Sequence, residues 1–570
     1  AAVRARVMPP RLLVQQLTDR LDVLADGIRD LPPRQQSLLA TLEWSYELLT
    51  PRQRRVYADL AVFRGGCTLA AAAFVCAGDL ADIVRDVAAL LDSSLLLRRP
   101  AAGGDFRFGM LETVAQHAQH VLLTSDRNAA VRRRHAEWCA QLTATMEPSD
   151  QPSDRSSAVA ALDAEQDNLR ACLRWLIAAG EVELGLRVAC QLEWYWDWRS
   201  RLHEGWETLD ALLARATAAC PLPRDLEARA RGAAARIAYR LADYDRARAL
   251  WQESLDLAGL IGDERQRAWA LHGLALISRD QTDDADFARQ NDRSLVIFEA
   301  LGERRGIASA LHHRAIAAIY RKQAAAARPP AEQALQLYRE LRDERFVASV
   351  QATLGATAEE LGDAGLASSL MQEALAIRRH IGDELGVAAA LSNLGLLAHK
   401  AGDFQLATSR LEEALKLNER LGHRRGVALA LQNLGRTTHA MARWPAAREY
   451  HSRSLSIWHD LGDRRSEAWV TRNLARTLLA AGEPDRGCEL ALESLDMFRA
   501  LEDRGGEAAA QELLSDVDLA AGRTRDGVAG LEAAARLYEA SGRRLDAARC
   551  RRRAAGLMGE AHYITGGTEQ

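Results

Sequence analysis

The chain has 570 residues, 48% of them hydrophobic and 27% charged, proportions of a globular protein long enough for several domains. Its net charge of −4 gives no electrostatic case for nucleic acid or for an anionic membrane. No run of about 18 uninterrupted apolar residues marks a membrane span, and the eight cysteines lack CxxC or CxxH spacing, which favours reduced thiols and a cytoplasmic location.

The basic residues are almost all arginine; the lysines are Lys322, Lys400 and Lys416. Beside so many alanines this reads as codon bias. The first residues carry no signal-peptide pattern and no initiator Met, and they read as the middle of a helix. The expectation is a fragment of a longer chain.

An amphipathic helix is expected at Leu12–Leu24, with Leu13, Leu17, Leu21 and Leu24 at helical spacing. Pro32-Pro33 opens a second helix through Leu49, and Thr50-Pro51 a third through Val62-Phe63. A turn at Arg64–Thr68 precedes a helix to Cys76, then another over Leu80–Leu91. Leu95–Arg99 and Phe106–Phe108 flank Pro100-Ala101-Ala102-Gly103-Gly104, a hairpin signal, and a helix opens at Met110. Helices followed by such a wing predict a winged helix.

Leu122–Met146 reads as one long helix, and Glu147–Asp154 as a polar linker. Three helices follow at Ala158–Ala179, Val182–Arg199 and Leu202–Thr217. Trp194, Trp196, Trp198, Tyr195 and Trp206 cluster there, which fits either core packing or a docking surface.

From about Pro221 the sequence repeats with a period of about 40 residues. Ile261-Gly262-Asp263, Leu301-Gly302-Glu303, Ile381-Gly382-Asp383, Leu421-Gly422-His423 and Leu461-Gly462-Asp463 are in step. So are Leu354-Gly355, Leu394-Gly395 and Leu434-Gly435, then Ala367, Ala407 and Ala447, then Ala374-Leu375, Ala414-Leu415 and Ser454-Leu455. Small residues at these points let two helices approach, and a Gly-Asp turn can end one helix and cap the next.

These Leu-Gly, Ala and Ala-Leu positions resemble the tetratricopeptide repeat (TPR), with a period longer than is usual for that family. The resemblance implies a superhelix with a concave, ligand-binding groove. Residues 1–122 resemble a second family. The run Leu31-Pro32-x-Arg34-Gln35 to Trp44-Ser45-Tyr46-x-Leu48-Leu49, then Leu60-Ala61-Val62-Phe63, then Leu111-Glu112-Thr113-Val114, is similar to the winged-helix region of STAND-type (NB-ARC-containing) bacterial signalling ATPases. That family implies a nucleotide-binding module upstream and a repeat array as sensor.

Two departures qualify the resemblance. No GxxxxGK[ST] occurs and no lysine precedes Lys322, so this chain should not hydrolyse ATP. Relatives place a His against the nucleotide within Met-His-Asp; here Leu111 of Met110-Leu111-Glu112 cannot make that bond. No enzyme motif and no metal ligand set is present, so no cofactor is expected in this chain, with ATP or ADP expected in the missing upstream module.

By the family register, the groove would be lined by Trp269, His272, Arg279, His312, Tyr320, Glu359, His399, Lys400, Gln432, Arg436, His439, Trp469, Arg472 and Arg476. The cationic share at Lys400, Arg436, Arg472 and Arg476 suits a peptide carboxylate or an anionic small molecule, or is an ordinary solvated face. Asn393, Asn433 and Asn473 recur at the repeat period and could bind a peptide backbone or satisfy a turn. One unit breaks the pattern: Arg314 replaces the in-phase leucine, and Pro329-Pro330 fall inside the second helix. Either a kink opens the groove near His312, Arg314 and Tyr320, or the helix starts late at the prolines.

The expected fold is all-α: a winged helix and helical arm followed by a right-handed TPR superhelix of about eight repeats. Residues 1–30 would end the helical domain of an absent ATPase module. Residues 31–124 would be the winged helix, 125–220 the arm or a divergent first repeat, 221–542 the superhelix, and 543–570 a capping helix and tail. The expected function is the sensor region of a STAND-type transcriptional regulator. It would bind a protein, peptide or small-molecule inducer in the groove and act on its own upstream ATPase module, with no direct contact to nucleic acid or membrane. The alternative is a freestanding TPR adaptor that binds a peptide constitutively.

Overall fold

The computed structural model describes residues 38–100, 106–147, 155–216, 221–281, 283–321 and 323–565. The expected helix at Leu12–Leu24, the tip of the hairpin and the linker at Glu147–Asp154, beyond Glu147 itself, lie outside them. Among the described residues the chain is all-α save for one two-stranded hairpin. It divides into two compact units between Ile277 and Ser278.

The first unit opens with α1 (Leu38–Glu47), α2 (Pro51–Asp59), α3 (Leu69–Cys76) and α4 (Leu80–Asp92). Thr50 caps α2 through a full capping box with Gln53, at the helix start expected for Thr50-Pro51, and Thr68 at the end of the expected turn caps α3 through the Ala71 N–H. Strands β1 (Leu97–Pro100) and β2 (Phe106–Gly109) pair antiparallel, Leu97 opposite Gly109. Cys67 bridges to Phe108, so the hairpin closes back over the helices. Tyr57, Val75, Ile83, Leu90 and Leu122 are fully buried beneath it.

Helices α5 (Glu112–Leu123) and α6 (Asn128–Met146) follow. The single helix expected over Leu122–Met146 is therefore interrupted at Thr124–Arg127. The Ser125 hydroxyl accepts from the Arg127 N–H and Thr124 donates back to the His120 carbonyl, local bonds that compete with the helical ladder. The helix expected at Ala158–Ala179 is likewise two, α7 (Arg155–Ala164) and α8 (Gln166–Ala179). At the break, Glu165 receives Arg107 from β2 and the Asn168 amide. Asn168 also accepts the Arg64 N–H at 2.7 Å and donates to the Gly66 carbonyl at 2.9 Å. One buried amide thus ties the turn before α3 to α8.

Next come α9 (Val182–Trp198) and α10 (Leu202–Leu213). Tyr195, Trp196 and Trp198 are buried, and Trp194 meets Trp198 edge-on at 6.4 Å. The aromatic cluster is core.

The repeats begin with α11 (Arg224–Arg240), α12 (Tyr244–Ile261) and α13 (Glu264–Asp280), the last crossing the division. The second unit continues with α14 (Asp284–Leu301), α15 (Arg304–Tyr320), α16 (Ala324–Glu340), α17 (Glu344–Glu360) and α18 (Ala364–His380). Then come α19 (Glu384–Lys400), α20 (Phe404–Arg420), α21 (Arg424–Ala440), α22 (Trp444–Asp460) and α23 (Arg464–Ala480). It closes with α24 (Pro484–Ala500), α25 (Arg504–Ala520), α26 (Thr524–Ala540) and α27 (Arg544–Thr565). Helix starts keep the period of the sequence in both series, at Arg304, Glu344, Glu384, Arg424, Arg464 and Arg504 and at Ala324, Ala364, Phe404, Trp444, Pro484 and Thr524.

The repeat positions have physical causes. A Cβ on Gly395 would sit 2.7 Å from Leu411 Cγ, and one on Gly435 2.5 Å from the His451 ring, so the second helix covers the glycine of the first. Ala367, Ala407 and Ala447 are fully buried at the same crossing. Gly362, Gly382, Gly402 and Gly462 take positive φ, and Asp363, Asp383, Asp403 and Asp463 cap the next helix. Arg305, Arg345, Arg425 and Arg465 each reach the aspartate that opens the next repeat, Asp343, Asp383, Asp463 and Asp503, linking neighbours in register.

Pro329 and Pro330 lie inside α16, which begins at Ala324. The helix does not start late at the prolines. They remove the N–H groups that would reach the Ala325 and Ala326 carbonyls, and both alanines are exposed. Water can satisfy those carbonyls, so the helix runs through.

Candidate functional site

The first helices of successive repeats carry the predicted groove residues, and the structure sorts these into three groups.

In the first unit, His272 is buried with its ring edge-on to Trp269 at 5.9 Å. It is a packed side chain there.

The second group lies on and around α15. His312 is buried, its Nε2 2.8 Å from the Thr353 hydroxyl of α17. Burial first, then Arg279 and Arg378, pushes its pKa down to about 3, so the ring is neutral. Arg314 stands two residues on, across the helix, and pairs with Asp292 of α14. Arg279 is paired with Asp280. Tyr320 is exposed at the end of α15. His312, Arg314 and Tyr320 therefore do not converge, and the proline pair sits on the other helix of that hairpin.

The third group does converge, on α19, α21 and α23. Asn433, Arg436 and His439 stand three apart on α21, on one helix face, and Asn473 and Arg476 repeat the spacing on α23. Arg436 and Arg476 are half-buried, and neither forms an ion pair among the described residues. Burial lowers the Arg436 pKa. Burial, then the charges of Arg472 and Arg436, lowers that of Arg476 to about 10. These are cations held close together without a counter-charge. Two buried donors beside them, Asn433 Nδ2 and Arg476 Nε, have no protein hydrogen-bond partner.

The flanking histidines are oriented by threonines that sequence reading missed. Thr437 Oγ1 lies 2.9 Å from the Asn433 carbonyl and 3.2 Å from His399 Nδ1. When the hydroxyl gives its one proton to the Asn433 carbonyl, His399 Nδ1 is the donor and Nε2 keeps its lone pair. Thr477 repeats this with the Asn473 carbonyl at 3.0 Å and His439 Nδ1 at 3.1 Å. Burial, then Arg436, Arg476 and Lys400, lowers the His399 pKa; burial, then Arg476, lowers that of His439 to about 4. The recurrence of Thr437 and Thr477 at the repeat period was the available signal.

Lys400 and Arg472 are otherwise engaged. Lys400 pairs with Glu359. Arg472 donates from Nε to the Ala509 carbonyl at 2.9 Å and lies over the Trp469 ring. Beyond it, Glu512 is held by Arg549, Arg553 and Tyr538. Asn473 accepts weakly from Arg472 at 3.5 Å. Asn393 and Gln432 are half-exposed on their faces. Among the described residues, the side chains left without an acidic partner or a hydrogen bond from a neighbouring repeat are thus Arg436, Arg476 and Asn433, with His399 and His439 at their edge.

Comparison with known proteins bears on the array first. The tetratricopeptide repeat family model matches residues 346–420, 386–460 and 426–500. Proteins of Mycobacterium tuberculosis and Mycobacterium bovis that carry the name of an HTH-type transcriptional regulator are 35% identical over 217 residues. That stretch is 37% of this chain and 24% of each relative, so the chain spans about a quarter of their length. A STAND protein with a tetratricopeptide repeat sensor from Pyrococcus horikoshii superposes with a TM-score of 0.49 at 15% identity, covering 87% of this chain and 72% of that one. A Rap protein complexed with Competence and Sporulation Factor gives 0.45 at 14% identity, covering 66% of this chain and 98% of that one. Residues 346–500, which hold the converging arginines and histidines, are tetratricopeptide repeats.

Proposed function

We propose that this chain is the sensor and regulatory region of a STAND-type signal-transduction ATPase that controls transcription. The observation that carries the reading is the order of parts. A helical module closed by a hairpin, read as the winged helix of that family from its sequence motif, precedes a repeat array. The name carried by the mycobacterial relatives supports the transcriptional assignment. In this reading the array receives a protein, peptide or small-molecule inducer. The upstream module binds and hydrolyses the nucleotide, and this chain supplies no catalytic group. No described helix is long and apolar enough to cross a membrane; we place the protein in the cytoplasm.

Control of this kind requires the effector to favour one state of the whole protein. Moving a population from about 1:99 to 99:1 takes about 5.5 kcal/mol of differential binding. Several repeats contacting one ligand can supply that, because each hairpin adds its own contacts to a shared surface.

The test is the intact mass of the native protein, immunoprecipitated from its own cells. A product much heavier than 62.6 kDa, bearing a nucleotide-binding module, is expected. A product of this chain's own mass would overturn the reading and leave a freestanding adaptor.

A further inference from the structure

We infer that Arg436, Arg476 and Asn433 form a binding site for a doubly charged oxyanion, a phosphate monoester, with His399 and His439 as its flanks. The inference deepens the reading of the array as a receiving surface and rests on it for its purpose, though not for its chemistry.

Charge is the first argument. Of the basic side chains on the first helices of these repeats, Lys400 is neutralised by Glu359, and Arg472 is bonded to a carbonyl near Glu512. Arg436 and Arg476 have no acidic partner among the described residues; both are half-buried, and the charges of Arg472 and Arg436 bear on Arg476. Like charges kept together out of water are costly unless something neutralises them. Two guanidinium forks present planar pairs of N–H donors, the geometry that grips phosphate and carboxylate oxygens. A carboxylate would leave one positive charge uncompensated; a phosphate dianion balances both.

Hydrogen bonding is the second and independent argument. Asn433 is buried, yet its Nδ2 donates to nothing in the protein, and Arg476 Nε is buried in the same condition. Such donors are rare in folded proteins and want an acceptor. An oxyanion carries enough lone pairs for both beside the guanidinium ends.

The histidines supply the third. With the threonine hydroxyls turned to the Asn433 and Asn473 carbonyls, the Nδ1 protons go to Thr437 and Thr477 and both rings keep an Nε2 lone pair. His399 faces Arg436 of α21, Arg476 of α23 and, on its own helix, Lys400, with Phe404 of α20 against its ring. His439 faces Arg476 of α23, with Trp444 of α22 against its ring and His451 of α22 behind it. Neutral rings avoid adding to the positive charge while the site is free, and each can take a proton once an anion has entered.

The phosphoryl group could come from a phosphorylated peptide or from a small phosphorylated metabolite, and the probes separate these. Inorganic phosphate, O-phosphoserine, a phosphoserine peptide and acetate are titrated into the full chain at one ionic strength, read by isothermal calorimetry and melting temperature. Phosphate and O-phosphoserine are expected to bind and acetate not. A phosphopeptide at least tenfold tighter than O-phosphoserine points to a peptide source, and equal affinities to a small molecule. R436Q/R476Q should weaken phosphate binding at least tenfold while melting no lower than the wild type without phosphate. R314Q should bind phosphate like the wild type, because Arg314 faces Asp292.

Phosphate stabilises proteins in general by exclusion, so a shift equal in wild type and R436Q/R476Q overturns the proposal. Equal binding of acetate overturns the dianion assignment, and absence of binding overturns the site. A double variant that melts well below the wild type shows the arginines to be structural and also overturns it. Any of these failures beside a native mass well above 62.6 kDa leaves the sensor reading intact. Phosphate binding with a native mass of 62.6 kDa keeps the site and discards the ATPase.

Discussion

Replacing His451 by leucine should stabilise the repeat that contains it, and more so in acid. His451 is wholly buried on α22 against Gly435, and neither ring nitrogen has a protein partner. A buried polar atom without a bond costs about 1–3 kcal/mol. Both nitrogens belong to one ring, so about 2 kcal/mol is the expected gain near pH 7.5. Leucine fits, because Leu411 already occupies the same place against Gly395 one repeat earlier.

Acid adds a second term. Burial first, then Arg476, His439 and Arg436, pushes the His451 pKa from 6.5 down to about 3. Between those values the unfolded chain binds a proton that the folded chain refuses. Stability is therefore full above about pH 6.5 and is lost as pH falls toward 3, at about 1.4 kcal/mol per unit. At about pH 5 the wild type should have lost a further ~2 kcal/mol relative to H451L. Hydrogen exchange followed by mass spectrometry on peptides from residues 424–460 reads this locally, which suits an array whose repeats need not unfold together. A variant less stable than wild type at both pH values, or a gap that does not widen in acid, would refute the reasoning.

Other substitutions probe the remaining features. P329A/P330A restores two helical N–H groups; about 3 kcal/mol per proline, less solvation of the exposed Ala325 and Ala326 carbonyls and about 0.4–1 kcal/mol of unfolded-state entropy, leaves a net gain of about 1–2 kcal/mol each. A lower melting temperature by circular dichroism would contradict a helix that runs through. G273A places a Cβ 2.1 Å from the buried Trp251 ring, and urea unfolding should show a loss of about 1–3 kcal/mol. N168A strips the Arg64 N–H and the Gly66 carbonyl of their bonds, at a cost of about 2–3 kcal/mol. Limited proteolysis near residues 64–66 should then quicken, and an unchanged cleavage rate would remove the role given to Asn168.

Much of the fold was legible because its causes are local and repeated. Gly382-Asp383 ends one helix and caps the next through its own φ and a hydrogen bond to the nearby Gly386 N–H, and the same step recurs from repeat to repeat. Gly395 and Leu411 meet because one hairpin brings them together, so a period in the sequence is a period in the packing. The helix start at Thr50-Pro51 was equally visible, because its cause is local: the capping partner Gln53 lies within the first turn of the same helix. Where local bonds compete, reading was weaker: Ser125 and Thr124 interrupt a run that looked helical throughout, and Glu165 breaks another because Arg107 reaches it from a strand far back in the chain.

The candidate site divides along the same line. Sequence alone determined that arginines, histidines and asparagines would fall on the first helices of successive repeats, because register is a property of the repeat. Only the tertiary structure decided which of them are spent. Arg314 goes to Asp292, Lys400 to Glu359, and Arg472 to a carbonyl, while Arg436 and Arg476 are left without an acidic partner among the described residues. A long, flexible side chain can reach either of two neighbouring repeats. Which carboxylate lies within that reach depends on how the hairpins stack, and no spacing along the chain encodes it.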